Sequence, residues 1–252
     1  MSENSGLLGC GTVFLAPYEN GKPSNSWYDL DEADKYEIKE NVSEKTRKSK
    51  RCESYGQLKS QVPIKEPAEL SLTFSTMNKE NFATLFMSKP VDTVQAAGTF
   101  TEAVLTAMKG RSVHLKTRNL DAAALVVKNA DDTITYVADT DYVIENAKMG
   151  FVKILESGSI ANGALNFSGS MAESKSVRMV GGSQYDRRFS VKLVGKNLDT
   201  GQPHIAYVYD VRLAPQSGVD FLADDFVVGE LTGKPVLDPV TGESYIVETD
   251  IT

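Results

Sequence analysis

Glu69-Leu70-Ser71-Leu72-Thr73-Phe74 is the stretch that decides the fold class. Leu70, Leu72 and Phe74 point one way and Glu69, Ser71 and Thr73 the other, the two-residue period of a half-buried strand. Phe189, Val191 and Leu193 repeat the pattern against Ser190 and Lys192. So do Ile205, Tyr207, Tyr209, Val211 and Leu213, with Asp210 and Arg212 on the opposite face. Shorter alternating runs at 12–16, 26–30, 112–115, 124–128, 133–137, 142–145, 151–155, 164–168, 176–180 and 226–231 are separated by turn residues such as those of 129–132 and 146–150. Many short strands at this spacing predict an all-β chain, an antiparallel sandwich or barrel.

One helix interrupts the pattern. Met77, Phe82, Leu85 and Phe86 recur at helical spacing, Thr76 or Asn78 can cap the start, and Pro90 blocks continuation. Residues 102–109 read as either helix or strand, and 218–225 as a short helical turn before the last strands. Between 31 and 67 the chain is polar and charged, with little apolar periodicity; residues 39–66 are expected as a long polar loop. The 252 residues are expected to form a single domain, with a strand-rich inserted lobe at about 110–171.

With 41% hydrophobic residues the chain can build a sizeable core, but no apolar run approaches the ~18 residues of a membrane span. Nothing in residues 1–20 reads as a signal peptide. Cys10 and Cys52 are too few for a disulfide framework and read as free thiols of a reducing cytoplasm. The net charge of −7 is unevenly placed. Residues 218–252 hold eight acids and one base, Lys234, while the rest of the chain is neutral and carries one basic cluster, Lys45, Arg47, Lys48, Lys50 and Arg51. Copies of one molecule with an acidic end and a basic segment attract each other.

Catalytic and metal signatures are missing from the sequence. His114 and His204 stand alone in strand patterns, no HExxH or CxxC spacing occurs, and no Gly-x-Ser-x-Gly elbow supports a Ser-His-Asp triad. Gly229-Glu-Leu-Thr-Gly233-Lys234 is one residue short of a phosphate loop and is followed by Pro235 instead of Ser or Thr. Asp131-Asp132 and Asp139-Thr-Asp141 fall where hairpin turns are expected and lack the rest of a calcium loop. No enzyme and no cofactor are expected. Nucleic-acid binding is disfavoured as well: outside the basic cluster 34 acids face 22 bases, and Tyr55 is the one aromatic beside it.

The segments Lys45-Thr-Arg-Lys-Ser-Lys-Arg51, Ser54-Tyr-Gly-Gln57 and Val62-Pro-Ile-Lys-Glu-Pro-Ala-Glu-Leu-Ser-Leu-Thr-Phe74, followed by the helix from Asn78, resemble the tail tube (major tail) proteins of bacteriophages with long, non-contractile tails. The ending is similar too, through Phe189-Ser-Val-Lys-Leu-Val-Gly-Lys-Asn197, Thr200-Gly201, Asp224-Asp225-Phe226 and Leu231-Thr-Gly233. Thr140-Asp-Tyr142 and 150–163 resemble a strand-rich segment recurrent in phage virion proteins, outside the minimal tube fold. The resemblance implies a barrel-forming β-sandwich with a flanking helix, closing into homohexameric rings that stack into the virion's tube, the conduit for DNA ejection. It implies as partners other copies of the chain, a tape measure protein, a tail terminator and tail-tip proteins, with DNA in transient passage and no membrane; assembly would take place in the host cytoplasm.

Carried onto this sequence, the ring-stacking role falls on Lys45, Arg47, Lys48, Lys50, Arg51 and Tyr55. The polar faces of the strands nominate Ser71, Thr73, Ser190, Lys192 and Asp210 as lumen-facing. The other reading is an all-β phage adhesin or receptor-binding module for a surface carbohydrate or protein, recruiting Trp27, Tyr28, Tyr207 and Tyr209, although alternation assigns Tyr207 and Tyr209 to the core.

Overall fold

The computed structural model describes residues 6–19 and 21–249. Asp250 of the acidic segment, and part of the stretch read for a signal peptide, lie outside them. In chain order the first elements are β1 (Gly9–Glu19), β2 (Lys22–Pro23), β3 (Tyr28–Asp29), β4 (Ala33–Lys48), a single 3-10 turn (Cys52–Ser54), β5 (Leu58–Phe74) and α1 (Lys79–Leu85). Then come β6 (Val91–Gln95), β7 (Gly98–Ala107), β8 (Ser112–His114), β9 (Val126–Asn129), β10 (Thr135–Tyr136), β11 (Tyr142–Asn146), β12 (Phe151–Ile154), β13 (Gly163–Met171) and β14 (Ser174–Arg178). The chain finishes with β15 (Arg188–Asn197), β16 (Pro203–Arg212), β17 (Ala214–Pro215), β18 (Gly229–Gly233) and β19 (Tyr245–Thr249). The protein is all-β, with one α-helix among the described residues.

Two compact units are present: one built from the chain up to Pro90 and from Met179 onward, the other from Val91–Arg178. The first is a sandwich of two antiparallel sheets. One sheet runs β19-β16-β15-β1-β2, with β3 also on β1; the second runs β17-β18-β5-β4. Between them lie Val13 and Leu15 of β1, Phe189 and Val191 of β15 and Val208 of β16, packed on Leu70, Leu72 and Phe74 of β5 and Leu231 of β18. Full burial of each such side chain stabilises the fold by about 1.5–3 kcal/mol. Gly229 is required by this packing, since a Cβ there would sit 2.6 Å from the Phe74 ring. The helix closes one side through Leu85; its cap is Asn78, whose side chain accepts from the Asn81 N–H.

The second unit has its own core, including Leu115, Val127, Tyr142, Val152, Ile154, Leu165 and Phe167. It comprises a β10-β9-β13-β7 sheet, a β11-β12-β8 sheet and a β14-β6 ribbon. Residues 102–107, ambiguous in the sequence, are strand. The unit is wider than the 110–171 lobe expected, because β6 and β14 pair from Val91↔Arg178 to Gln95↔Ser174.

Three expectations are corrected. Residues 39–66 are not a loop: β4 and β5 stay paired from Asn41↔Glu66 to Lys48↔Leu58, and only 49–57 turn the chain. Residues 218–225 form no helix. Ser190 and Asp210 are fully buried and cannot face a channel. Asp210 is turned inward by a bulge: Phe189↔Val211 is followed by Val191↔Val208, so Tyr209 and Asp210 together oppose Ser190, whose hydroxyl donates to the Tyr209 carbonyl. One extra residue inverts the inside-outside phase of the strand beyond it. Ala206 and Val208 point inward on one side of the bulge and Val211 and Leu213 on the other, while Tyr207 and Tyr209 turn out of the core.

Candidate interaction surfaces

Beyond Ala68 the β4–β5 pair leaves the sandwich. From Ala68 to Phe74 inward residues are buried, whereas every residue of 58–67 is exposed on both faces. Ten residues at about 3.3 Å each make an arm of roughly 30 Å. Cross-strand partners share a face, so Ser43↔Ile64 and Lys45↔Val62 lie on one side and Val42↔Lys65 and Glu44↔Pro63 on the other. Val42, Val62, Ile64 and Leu58 are apolar groups left in water. A free two-stranded ribbon of this kind is marginally stable at best.

The tip turns through Ser49, whose N–H donates to the Gln57 carbonyl at 2.8 Å and whose hydroxyl meets that of Ser54 at 2.7 Å. The turn curls around an open concavity of about 1050 Å³ lined by Arg47, Lys48, Lys50, Arg51, Tyr55 and Lys59. The sequence named all of these except Lys59; Lys45 belongs to the arm but does not line the concavity. None of the five cations has an ion-pair partner among the described residues.

The two sheets present unlike outer faces. On the second, Lys35↔Thr73↔Glu230 and Glu37↔Ser71↔Thr232 form polar rows across β4, β5 and β18, with Lys39↔Glu69 beyond them. Ser71 and Thr73 therefore lie on a continuous hydrophilic face carrying two bases and three acids. Lys35 and Glu37 pair at 2.5 Å, and the hydrogen bond holds the carboxyl below its ordinary range and the ammonium above its own. Both edges of this sheet are open: β4 along its outer side, and β17, just two residues long and ending in Pro215.

On the first sheet, Phe14↔Lys192↔Tyr207↔Ile246 form one row across β1, β15, β16 and β19. The Lys192 ammonium lies 5.0 Å from the Trp27 ring and 4.7 Å from Tyr207, and the Tyr209 ring packs tilted against Tyr207 at 4.6 Å. Lys192 is thus at the centre of an aromatic patch, not on a polar face. Tyr28 does not join this patch; it packs on the core, and its hydroxyl meets that of Thr84 at 3.4 Å.

Behind the bulge sits a polar cluster. Arg188 donates from Nε to Asp210 at 2.8 Å and makes a second bond through its terminal nitrogen, a fork that pushes the guanidinium pKa up. The Arg188 guanidinium also lies 4.7 Å from the Tyr18 ring, whose hydroxyl donates to Asp238 at 3.3 Å. Asp238 accepts from Thr241 N–H and Oγ and from Val240 N–H, which holds its carboxyl low. The cluster ties the 235–243 turn to β1 and β15. Elsewhere His114 stacks on Phe151 at 4.4 Å, and His204 lines an apolar cleft with Tyr36, Ile38, Leu193 and Val247. Among the described residues no three His, Cys, Asp or Glu side chains gather to hold a metal ion, and no helix is long and apolar enough to cross a membrane.

One further segment lies in the acidic end that the sequence sets against the basic cluster. In 217–228, Phe221 stacks on Phe86 at 6.0 Å and lies 6.1 Å from Phe82, while Leu222 and Phe226 stand 91% and 92% exposed among Asp220, Asp224 and Asp225. The sequence reads a strand over 226–231, but the strand begins only at Gly229, which leaves Phe226 in an irregular stretch with its ring in water.

Residues 7–245 match the model of a family described as protein of unknown function UCP028589. The chain belongs to this family. The match takes in the arm, the 217–228 segment and the Val91–Arg178 unit, so all three fall within the region that defines the family. No curated protein matches the chain.

Proposed function

We propose that this member of the family is a structural virion protein: the subunit of a phage tail tube that polymerises as stacked hexameric rings and conducts DNA into the host. The observation that carries this reading is the second sheet. It is apolar toward the core, polar toward solvent, open at both edges, and two of its strands run on into an arm whose residues 58–67 are all exposed. Joining β4 of one copy to the β17 side of the next removes both edges, and closure of a ring removes them all. Lys35, Glu37, Lys39, Glu69, Ser71, Thr73, Glu230 and Thr232 then line the channel. Their small net negative charge avoids the counterion release that would fasten a phosphate backbone to the wall. Tape measure, terminator and tip proteins are the further partners of such a tube.

Negative-stain microscopy of the purified chain, with and without a tail-tip nucleus, tests the reading: tubes or six-fold rings are expected, and a chain that stays monomeric under both conditions ends it. Reversal of Lys48, Lys50 and Arg51 to Glu is expected to leave the far-UV circular dichroism unchanged and abolish tubes. The aromatic patch around Lys192 favours a second reading, a receptor-binding module whose Trp27, Tyr207 and Tyr209 hold a glycan; small closed oligomers that bind a glycan array would support it instead.

A further inference from the structure

We infer that the basic concavity at the arm tip receives the acidic, aromatic 217–228 segment of a second copy of this chain. The inference rests on the self-assembly proposed above and names the surface that the arm engages. The two surfaces are complementary in charge and in kind. The concavity presents Arg47, Lys48, Lys50, Arg51 and Lys59 around the ring of Tyr55, which is 77% exposed. The segment presents Asp220, Asp224 and Asp225 with no base between them, and its Leu222 and Phe226 project almost fully into water.

Among the described residues neither surface is satisfied. The five cations have no ion pair, and the three aspartates have none either; Asp220 and Asp225 each accept only from a backbone N–H beside them, those of Leu222 and Phe226. The apolar side chains differ in how they are held. Val219 packs against the sandwich core and one face of Phe221 rests on Phe86, so the segment is held at its start while Leu222 and Phe226 remain free to be covered. Exposed apolar groups of this size, rimmed by one sign of charge, mark an interaction site. The contact is heterologous, one surface meeting a different surface, so each copy bound leaves a fresh concavity and a fresh segment for the next. Its electrostatic part sets partner orientation and weakens as salt is added.

Two variants and their mixture test it. In one, Lys48, Lys50 and Arg51 become Glu; in the other, Asp220, Asp224 and Asp225 become Lys. Each alone places like charges on both surfaces, whereas in a 1:1 mixture every concavity meets a segment of opposite sign. The expected result, read by sedimentation velocity and microscopy, is loss of assembly by at least a hundredfold in concentration for each variant alone. Recovery in the mixture to within tenfold of the wild-type chain is expected with it, and recovery also shows that both variants are folded. Assembly of the aspartate variant alone at wild-type concentration overturns the inference and leaves the tube reading standing. A mixture that stays apart overturns it too. If the reversal and recovery hold but the assemblies are not tubes, the contact stands and the tube reading falls; a wild-type chain that never associates overturns both.

Discussion

Arg188 and Asp210 meet where β16 carries its extra residue, and the pair shows what one position can do to the fold. Asp210 is fully buried, and its two oxygens are taken by a forked guanidinium. Asp210→Asn leaves that guanidinium beside a neutral amide. The expected loss is about 2 kcal/mol in urea unfolding, less than a fully buried pair would lose because the Arg188 side chain is about a third exposed. The bulge is also where the sequence misleads. Ile205, Tyr207, Tyr209, Val211 and Leu213 alternate without a break, so the text of β16 reads as one face; nothing in it marks the doubled step opposite Ser190. For that reason alternation alone puts Tyr207 and Tyr209 in the core and Asp210 on a polar face, the reverse of their places in β16. Asp141, in the Val91–Arg178 unit, carries a pH prediction. Its carboxylate accepts from the Val137 N–H at 2.8 Å and from Ser159 N–H and Oγ at 2.7 and 2.8 Å, which holds its pKa below the ordinary carboxylate range. A lowered folded pKa gives stability that is present above the unfolded value and lost as pH falls through the folded one. Asp141→Asn should therefore unfold at lower urea than the parent at neutral pH, with the two midpoints converging in acid.

At the scale of elements, the longest pair in the molecule is continuous across two environments. In β5 the inward residues from Ala68 to Phe74 are fixed by a core, while 58–67 have only the β4 ladder. Amide exchange should separate the halves: 58–66 are expected to exchange at least about a hundredfold faster than 70–74 in the free protomer, and to slow once copies assemble. Equal protection of both halves in the protomer would contradict an arm without a resting place. The buried half was legible in the sequence because hydrophobic alternation reports burial. The arm was not, because a ribbon wet on both faces has no side to mark; its β-branched Val42, Thr46, Val62 and Ile64 were the remaining trace. Helix α1 was legible in its existence and in one of its two candidate caps, Asn78; of the four apolar positions only Phe82 and Leu85 lie inside it, and it ends at Leu85, well before Pro90, because so short a helix is held by the core it packs on.

The whole molecule is one sandwich interrupted in sequence by a second compact unit. Val91 and Arg178 are cross-strand partners, so the two ends of that unit lie about 5 Å apart. Replacing Val91–Arg178 with a short Gly-Ser link should leave the sandwich folding cooperatively, its thermal midpoint by circular dichroism within a few degrees of the parent's. Loss of the cooperative transition would mean that the sandwich core depends on the insertion. An insertion of this kind was visible in the sequence as extra strands, but its limits were not. They are set by pairing between 91–95 and 174–178, two short polar runs whose partnership no local pattern reports.

The arm and the polar wall are made of the same two strands, and this has a mechanical consequence. A pull applied at the tip runs lengthwise down β4 and β5 into the sandwich, where β5 is bonded to β18 from Leu70 to Phe74. Such a load shears that ladder as a block instead of unzipping it rung by rung, so the joint yields only when every bond gives together. Bending does not share this protection, since between the last buried residue and the turn only two strands carry the moment. A filament strung on such ribbons would be stiff in tension and compliant in curvature.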